Sequence, residues 1–272
     1  MQQQYKEIYQ QTLHWVTEAR HLIYQYLEKG SIKHQSKSHV NDLVTEVDQV
    51  VEQFFVDKIN QLFPDHQIIG EEGMNHSQVR QSEYVWYIDP IDGTSNFVTQ
   101  QRDFAISIAL YHQGVGVFGI IDDVKQNECF HICSGIGCFH NDEPLQLKLQ
   151  PTRLLDSILA ISFHFTSTNG LQFGKQLIEI GPHIRGIRSY GAATFSLLRV
   201  ALGQIQGYLV PHLSPWDIAA GQLLVKEAGG IVTDFSGKPL TLDQPTTLLA
   251  AHPSIHQELL AFIQKLPLYQ KD

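Results

Sequence analysis

Trp86 to Phe97 reads WYIDPIDGTSNF, and it carries the residue types for anion chemistry in one short run. An apolar strand delivers Asp89 at its C-terminal end, and Pro90, which lacks an amide hydrogen, is expected to stop the ladder there. Asp92 follows three residues after Asp89. The turn between them can aim both carboxylates and the Ile91 carbonyl at one point, a compact set of hard oxygen donors of the kind magnesium prefers. Gly93 lets backbone approach a ligand closely, and the Gly93, Thr94 and Ser95 amides can face an anion if a helix starts there. Taken alone, the string reads equally well as an ordinary turn, because Asp-Pro and Asp-Gly are both common turn pairs.

Two other acidic sites favour the metal reading. Glu71 and Glu72 end the short run HQIIG, where adjacent carboxylates would only repel each other without a ligand. Glu72 reads as a solvated loop residue and Glu71 as the one directed to a site. Asp217 falls in the first turn of the segment PWDIAAG; its plainer role is favourable charge at a helix N-terminus, worth about 0.3–1 kcal/mol. The chain has 19 basic and 28 acidic residues, a formal net charge of −9. With no run of Lys or Arg, DNA or RNA is not an expected partner. An acidic protein that handles anions needs positive charge from elsewhere, and a bound metal supplies it. The 14 histidines form no H-E-x-x-H pattern, and no serine sits in a G-x-S-x-G elbow, which removes two common hydrolase designs.

The elements that must position these groups alternate along the chain. Apolar residues from Tyr5 to Leu27 recur at helical spacing, with Gly30 as the stop. A polar stretch, HQSKSHVN, leads to a second amphipathic helix that begins with a Thr45-x-x-Asp48 capping box and closes at Pro64. HQIIG and YVWYI read as strands, FAISIAL and GVGVFGIID as a hairpin, ECFHI as a further strand, and GIGCFHNDEPL as turn plus edge. In the second half ILAIS, IRGIRS, GQIQGYLV, GIVTDF and TLLAA read as strands. LQFGKQLIEI, GAATFSLLRVALG, PWDIAAGQLLVKEAGG and SIHQELLAFIQKL read as helices. No repeat or linker divides the 272 residues, so one domain is expected, with a layered half over about 1–150 and an α/β half over about 151–272. Cys129, Cys133 and Cys138 are odd in number and lack C-x2-C spacing, so they read as reduced, buried thiols in a cytosolic protein. The N-terminal residues are polar, without a secretion signal, and no segment is apolar enough to span a membrane.

DLVTEVD (Asp42–Asp48), GEE (Gly70–Glu72), WYIDPIDGTSNF, GIRSYGAA (Gly186–Ala193) and PWDIAAGQLLVKEAGG (Pro215–Gly230) stand in this order along the chain. On these motifs, over essentially its whole length, the sequence resembles the inositol monophosphatase family of magnesium-dependent phosphomonoesterases. The resemblance implies an alternating α-β-α-β-α sandwich, shared with fructose-1,6-bisphosphatases, and a homodimer. It implies two or three Mg²⁺ ions: Glu71, Asp89 and the Ile91 carbonyl would hold one, and Asp89, Asp92 and Asp217 a second. The Gly93 and Thr94 amides would cradle phosphate, with Ser95, Ala193 and Asp217 also facing substrate. Asp48 would hold the Thr94 hydroxyl, which helps position and activate the attacking water; whether that pair or Glu71 is the effective base stays open. Lys37 would approach the metals from a mobile loop, or else is an ordinary solvated lysine.

The departures concern the alcohol. Where inositol-preferring relatives carry a glutamate before the Trp-Asp pair, this chain has Val210, which cannot accept a hydrogen bond from a ring hydroxyl. Gly191, Ala192 and Ala193 leave a roomy, weakly polar wall. The expected function is therefore magnesium-dependent hydrolysis of small phosphorylated polyols, sugars or nucleotides, inositol phosphate among them, in the cytoplasm. An NADP(H) 2′-phosphatase or a fructose-1,6-bisphosphatase is the second reading. A non-catalytic metal- or ligand-binding protein is the reading from another class, opposed by the completeness of the acidic set.

Overall fold

The computed structural model describes residues 2–29, 34–36, 43–74, 82–162 and 168–266. Lys37 lies outside them. Helices α1 (Gln2–Glu28) and α2 (Glu46–Leu62) form the first layer. Between them a short antiparallel pair, β1 (His34–Ser36) and β2 (Leu43–Thr45), occupies a stretch whose polar composition gave no strand signal. A seven-stranded sheet follows, in the order β3-β4-β5-β6-β7-β8-β9. Its strands are β3 (Gln67–Gly70), β4 (Tyr84–Asp92), β5 (Ala105–His112), β6 (Val115–Asp123), β7 (Glu128–Cys133), β8 (Gly137–His140) and β9 (Glu143–Pro144). β3 and β4 are parallel, and the remaining neighbours are antiparallel.

The second half begins with β10 (Ile158–Ile161), α4 (Thr168–Leu177) and β11 (Gly186–Arg188). Then come α5 (Ala193–Ala201), β12 (Gly207–Leu213) and α6 (Pro215–Glu227), and finally β13 (Ile231–Thr233), β14 (Thr246–Ala251) and α7 (Pro253–Gln264). Their sheet runs β11-β10-β12-β14-β13. The helix expected over LQFGKQLIEI is α only as far as Leu177; Ile178–His183 winds as 3-10 helix. Pro182 has no amide to give, and its ring would crowd the Ile178 carbonyl in an α-turn.

Strand periodicity explains the layering. In β4, Trp86 and Ile88 enter a core shared with Ile8, Val16, Ile23, Val51 and Phe55 of α1 and α2. Tyr87, one residue out of phase, enters a second core with residues of α5, α6, Tyr208 and Leu248. The other face of the second sheet packs on α4 and α7 through Phe173, Leu177, Leu209, Leu249, Ile255 and Leu259. The result is the α-β-α-β-α sandwich expected from the resemblance. The middle helical layer, α5 and α6, touches both sheets, which brings residues from both halves of the chain to one place.

Individual contacts fix these layers. Arg20 of α1 donates from Nε to Asp122 Oδ2 at 2.8 Å. Asp122 is fully buried, so removing Arg20 would leave a buried carboxylate without its cation, at about 3–5 kcal/mol. Cys129, Cys133 and Cys138 are free and buried, as expected, and burial raises their thiol pKa values. Among the described residues, no helix is long and apolar enough to cross a membrane.

Candidate active site

The strand carrying the two aspartates does not stop at Pro90. β4 continues to Asp92, and its register against β5 shifts from Asp89↔Ser107 to Asp92↔Ala105, three residues on one strand against two on the other. This bulge decides the site. Residues three apart in a regular strand point to opposite faces; the extra residue returns Asp92 to the face of Asp89 and turns Ile91 to the other side. Ile91 accordingly packs among Val51, Phe97 and Phe104 in the outer core. Asp89 Oδ1 accepts the Ile91 amide at 3.0 Å, closing the turn. Proline fits there because a bulge needs no ladder donor.

Asp217 meets this pair from the middle layer. It stands third in α6 after Pro215, and its Oδ2 accepts the Ser214 amide at 2.8 Å. Oxygens of Asp89, Asp92 and Asp217 all lie within 4.8 Å of one another. Asp89 is 1 % and Asp92 7 % exposed. Burial drives the pKa values of Asp89 and Asp217 well above the ordinary carboxylate range, and neighbouring acids, Glu71 among them, add to it. Asp92 is raised by burial too, against the hydrogen bonds it accepts from Thr194 and Ala193. Among the described residues no Lys or Arg forms an ion pair with any of the three.

Helix α2 delivers Asp48 by the same device used for Asp217. Asp48 is the third helical residue, and Oδ2 accepts the Thr45 amide at 2.9 Å in the expected capping box. Oδ1 is left facing the Thr94 hydroxyl at 3.3 Å, and that hydroxyl also lies 3.1 Å from the Ile91 carbonyl. Burial, opposed by the Thr45 hydrogen bonds, pushes the Asp48 pKa up to about 6. Gly93 precedes α3 (Thr94–Gln100) in a left-handed conformation and contributes no capping side chain. Ser95 is exposed.

Glu71 lies just beyond β3, outside the tight trio, with its carboxyl hydrogen-bonded to Asp89. Its loop is held by a residue that periodicity alone assigns to the core. Glu52, one turn after Asp48, is 1 % exposed and accepts the amides of Glu72 at 2.7 Å and Met74 at 2.8 Å. A side chain at Gly70 would sit 2.5 Å from the Glu52 carboxyl carbon. The signal for Glu52 was an acid on the apolar side of an amphipathic helix.

The remaining expected contacts differ in detail. The Ala193 amide is committed to Asp92 Oδ1 at 3.2 Å. The Thr194 amide and hydroxyl both donate to Asp92 Oδ2, the amide at 2.6 Å. Asp92 therefore joins the first sheet to the start of α5, a role invisible in its local sequence. Val210 is 2 % exposed and packs in the middle core, so it presents no polar atom and no surface to an alcohol.

Comparison with known proteins agrees with this geometry. The sequence pattern of the inositol monophosphatase family matches residues 4–268. Inositol-1-monophosphatase of Bacillus subtilis is 42 % identical over 245 residues, covering 90 % of this chain and 92 % of that protein. The crystal structure of inositol monophosphatase II from Staphylococcus aureus superposes with a TM-score of 0.83 at 33 % identity, over 97 % of this chain and 95 % of the other. An IMPase/NADP phosphatase complexed with Mg²⁺ and phosphate gives a TM-score of 0.84 at 25 % identity, over 95 % of each chain. By sequence pattern, by identity across most of its length and by superposition of its fold, the chain belongs to the inositol monophosphatase family.

Proposed function

We propose that this protein hydrolyses small phosphate monoesters in a magnesium-dependent reaction, with inositol phosphate among several accepted substrates. The observation that carries the proposal is the group of Asp89, Asp92 and Asp217, the first two buried and the third half-buried, with carboxylate oxygens within 4.8 Å of one another and no ion pair to Lys or Arg among the described residues. Such carboxyls hold protons or require cations, and an all-oxygen donor set suits Mg²⁺. The residues present fit the metal. Glu71, Asp89 and the Ile91 carbonyl would hold one ion, and Asp89, Asp92 and Asp217 another, with Asp89 shared; a third ion is compatible with the same acidic wall. Bound there, Mg²⁺ would neutralise charge on the phosphoryl oxygens and lower the pKa of water.

The chain's own groups supply positioning. The amides of Gly93, Thr94 and Ser95, at the start of α3, would receive phosphoryl oxygens. With Asp48 ionised, the Thr94 hydroxyl donates its proton to Asp48 Oδ1 and turns a lone pair outward to accept a hydrogen bond from the attacking water. Asp48, with a pKa near 6, is mostly ionised at neutral pH and so favours this orientation. The water oxygen attacks phosphorus in line and the bond to the alcohol oxygen breaks; one water proton stays with the phosphate, the other passes to the alcohol oxygen, and phosphate and alcohol leave.

The wall facing the alcohol consists of Gly191, Ala192 and Ala193 without a carboxylate from position 210, which supports broad acceptance. A 2′-nucleotide substrate such as NADP is the second reading, favoured by the likeness to the IMPase/NADP phosphatase. In this proposal the protein works in the cytoplasm as a homodimer. Phosphate release from inositol 1-phosphate, fructose 1,6-bisphosphate and NADP, measured with magnesium and with EDTA, tests it. Magnesium-dependent release from at least two, with kcat/KM values within about tenfold, is the expected result. A preference for inositol 1-phosphate by orders of magnitude would remove the relaxed-specificity reading, and no release from any would remove the phosphatase.

A further inference from the structure

Two short segments from opposite halves of the chain meet beside the acidic centre. The β4–α3 turn, residues 92–96, lies against residues 190–194, which lead into α5. Asp92 grips one end by accepting the Ala193 and Thr194 amides. Asn96 grips the other: Nδ2 donates to the Tyr190 carbonyl at 2.9 Å and to the Asp103 carbonyl at 2.8 Å, while Oδ1 accepts Gln100 Nε2 at 3.0 Å. Both Nδ2 hydrogens and one Oδ1 lone pair of this amide are used, and Asn96 is 8 % exposed.

Between the two grips the backbones approach at glycines. Gly93 has φ +90°, and a side chain there would lie 3.2 Å from Ala192 Cβ. Gly191 has φ +76°, and a side chain there would lie 2.7 Å from Asn96 Nδ2. Both conformations are open to glycine and strained for other residues. The contact is therefore close along its length, held at one end by Asp92 and at the other by Asn96.

We propose that Asn96 is a positioning residue that registers the alcohol-facing wall, Tyr190–Ala193, against the phosphate-facing turn. The inference rests on the phosphatase reading above. Asp92 fixes the same wall at its other end but also belongs to the acidic centre, so only Asn96 separates leaving-group positioning from charge. Loss of its two donated bonds leaves two carbonyls to find other partners and lets residues 190–192 drift.

The test compares wild type with Asn96→Ala and, independently, Gly191→Ala, which presses on the same amide from the opposite side. The readouts are kcat and KM for inositol 1-phosphate and NADP, the inhibition constant of inorganic phosphate, and the magnesium concentration for half-maximal activity. The expected result is KM raised about tenfold for both esters, with phosphate inhibition and magnesium dependence within about twofold of wild type. Equal losses in all four readouts, or unchanged KM, would overturn the inference. Gly191→Ala decides alone if Asn96→Ala does not fold. An inactive wild-type protein would instead fail the phosphatase reading and leave its own distinct signature.

Discussion

The two sides of the proposed active site are built by opposite means. On the phosphate side, charge is concentrated: Asp48, Glu71, Asp89, Asp92 and Asp217 come from α2, the end of β3, the end of β4 and the start of α6. Burial and mutual repulsion raise the pKa values of Asp48, Asp89, Asp92 and Asp217. On the proposed alcohol side, residues 190–193 carry no acidic side chain, both alanines are buried, and Val210 is turned into the core. The charged side stores a demand for cations and so fixes the reaction. The uncharged side makes few specific demands and so leaves the leaving group open.

The largest expected effect breaks the charged side. Asp89→Asn should lower magnesium-dependent phosphate release by about a thousandfold or more, because one residue serves both proposed ion sites; near-normal turnover would refute the assignment. A smaller effect is expected one step back. Glu52→Gln puts an amide where the Glu72 and Met74 amides now find carboxylate oxygens, which loosens the loop bearing Glu71. The half-saturating magnesium concentration should rise about fivefold, with kcat at saturating magnesium nearly unchanged. If kcat falls instead, Glu52 supports more than that loop.

The smallest effect is thermal and carries a sign. Folding raises the Asp48 pKa to about 6 and raises those of Asp89, Asp92 and Asp217. Between the ordinary carboxylate pKa and these folded values, the folded state binds more protons than the unfolded one. The contribution of Asp48 to stability is therefore present at low pH and is lost as pH rises through about 6, and those of the other three are lost as pH rises through their own raised values. Magnesium, binding the ionised carboxylates of the folded state, should raise Tm by several degrees at pH 8 and by less at pH 5.5. A shift independent of pH, measured by calorimetry with EDTA and with magnesium, would mean that the ion binds elsewhere.

Much of this was readable in the residues. The capping box at Thr45–Asp48, the strand and helix periods and the acidic positions all depend on near neighbours, and they appear in the fold where the sequence puts them. Pro90 misled because proline was read as the end of a ladder. Its local effect is correct, since it donates nothing, but the bulge uses that deficit to continue the strand with its phase reversed. Glu52 and Asn96 were not foreseen because their partners, the Glu72 and Tyr190 backbone groups, are 20 and 94 residues away. Val210 was identified by counting, but its burial depends on how β12 packs against the middle helices.

The chain's own order of residues thus determined which groups carry charge, which element each begins or ends, and what class of ligand they suit, because these follow from short-range sterics and hydrogen bonding. Only the tertiary structure decided that five carboxylates from four elements converge, and that Val210 turns into the core. That outcome depends on the two sheets packing against a shared helical layer, an arrangement driven by burial of apolar faces far from the acids themselves.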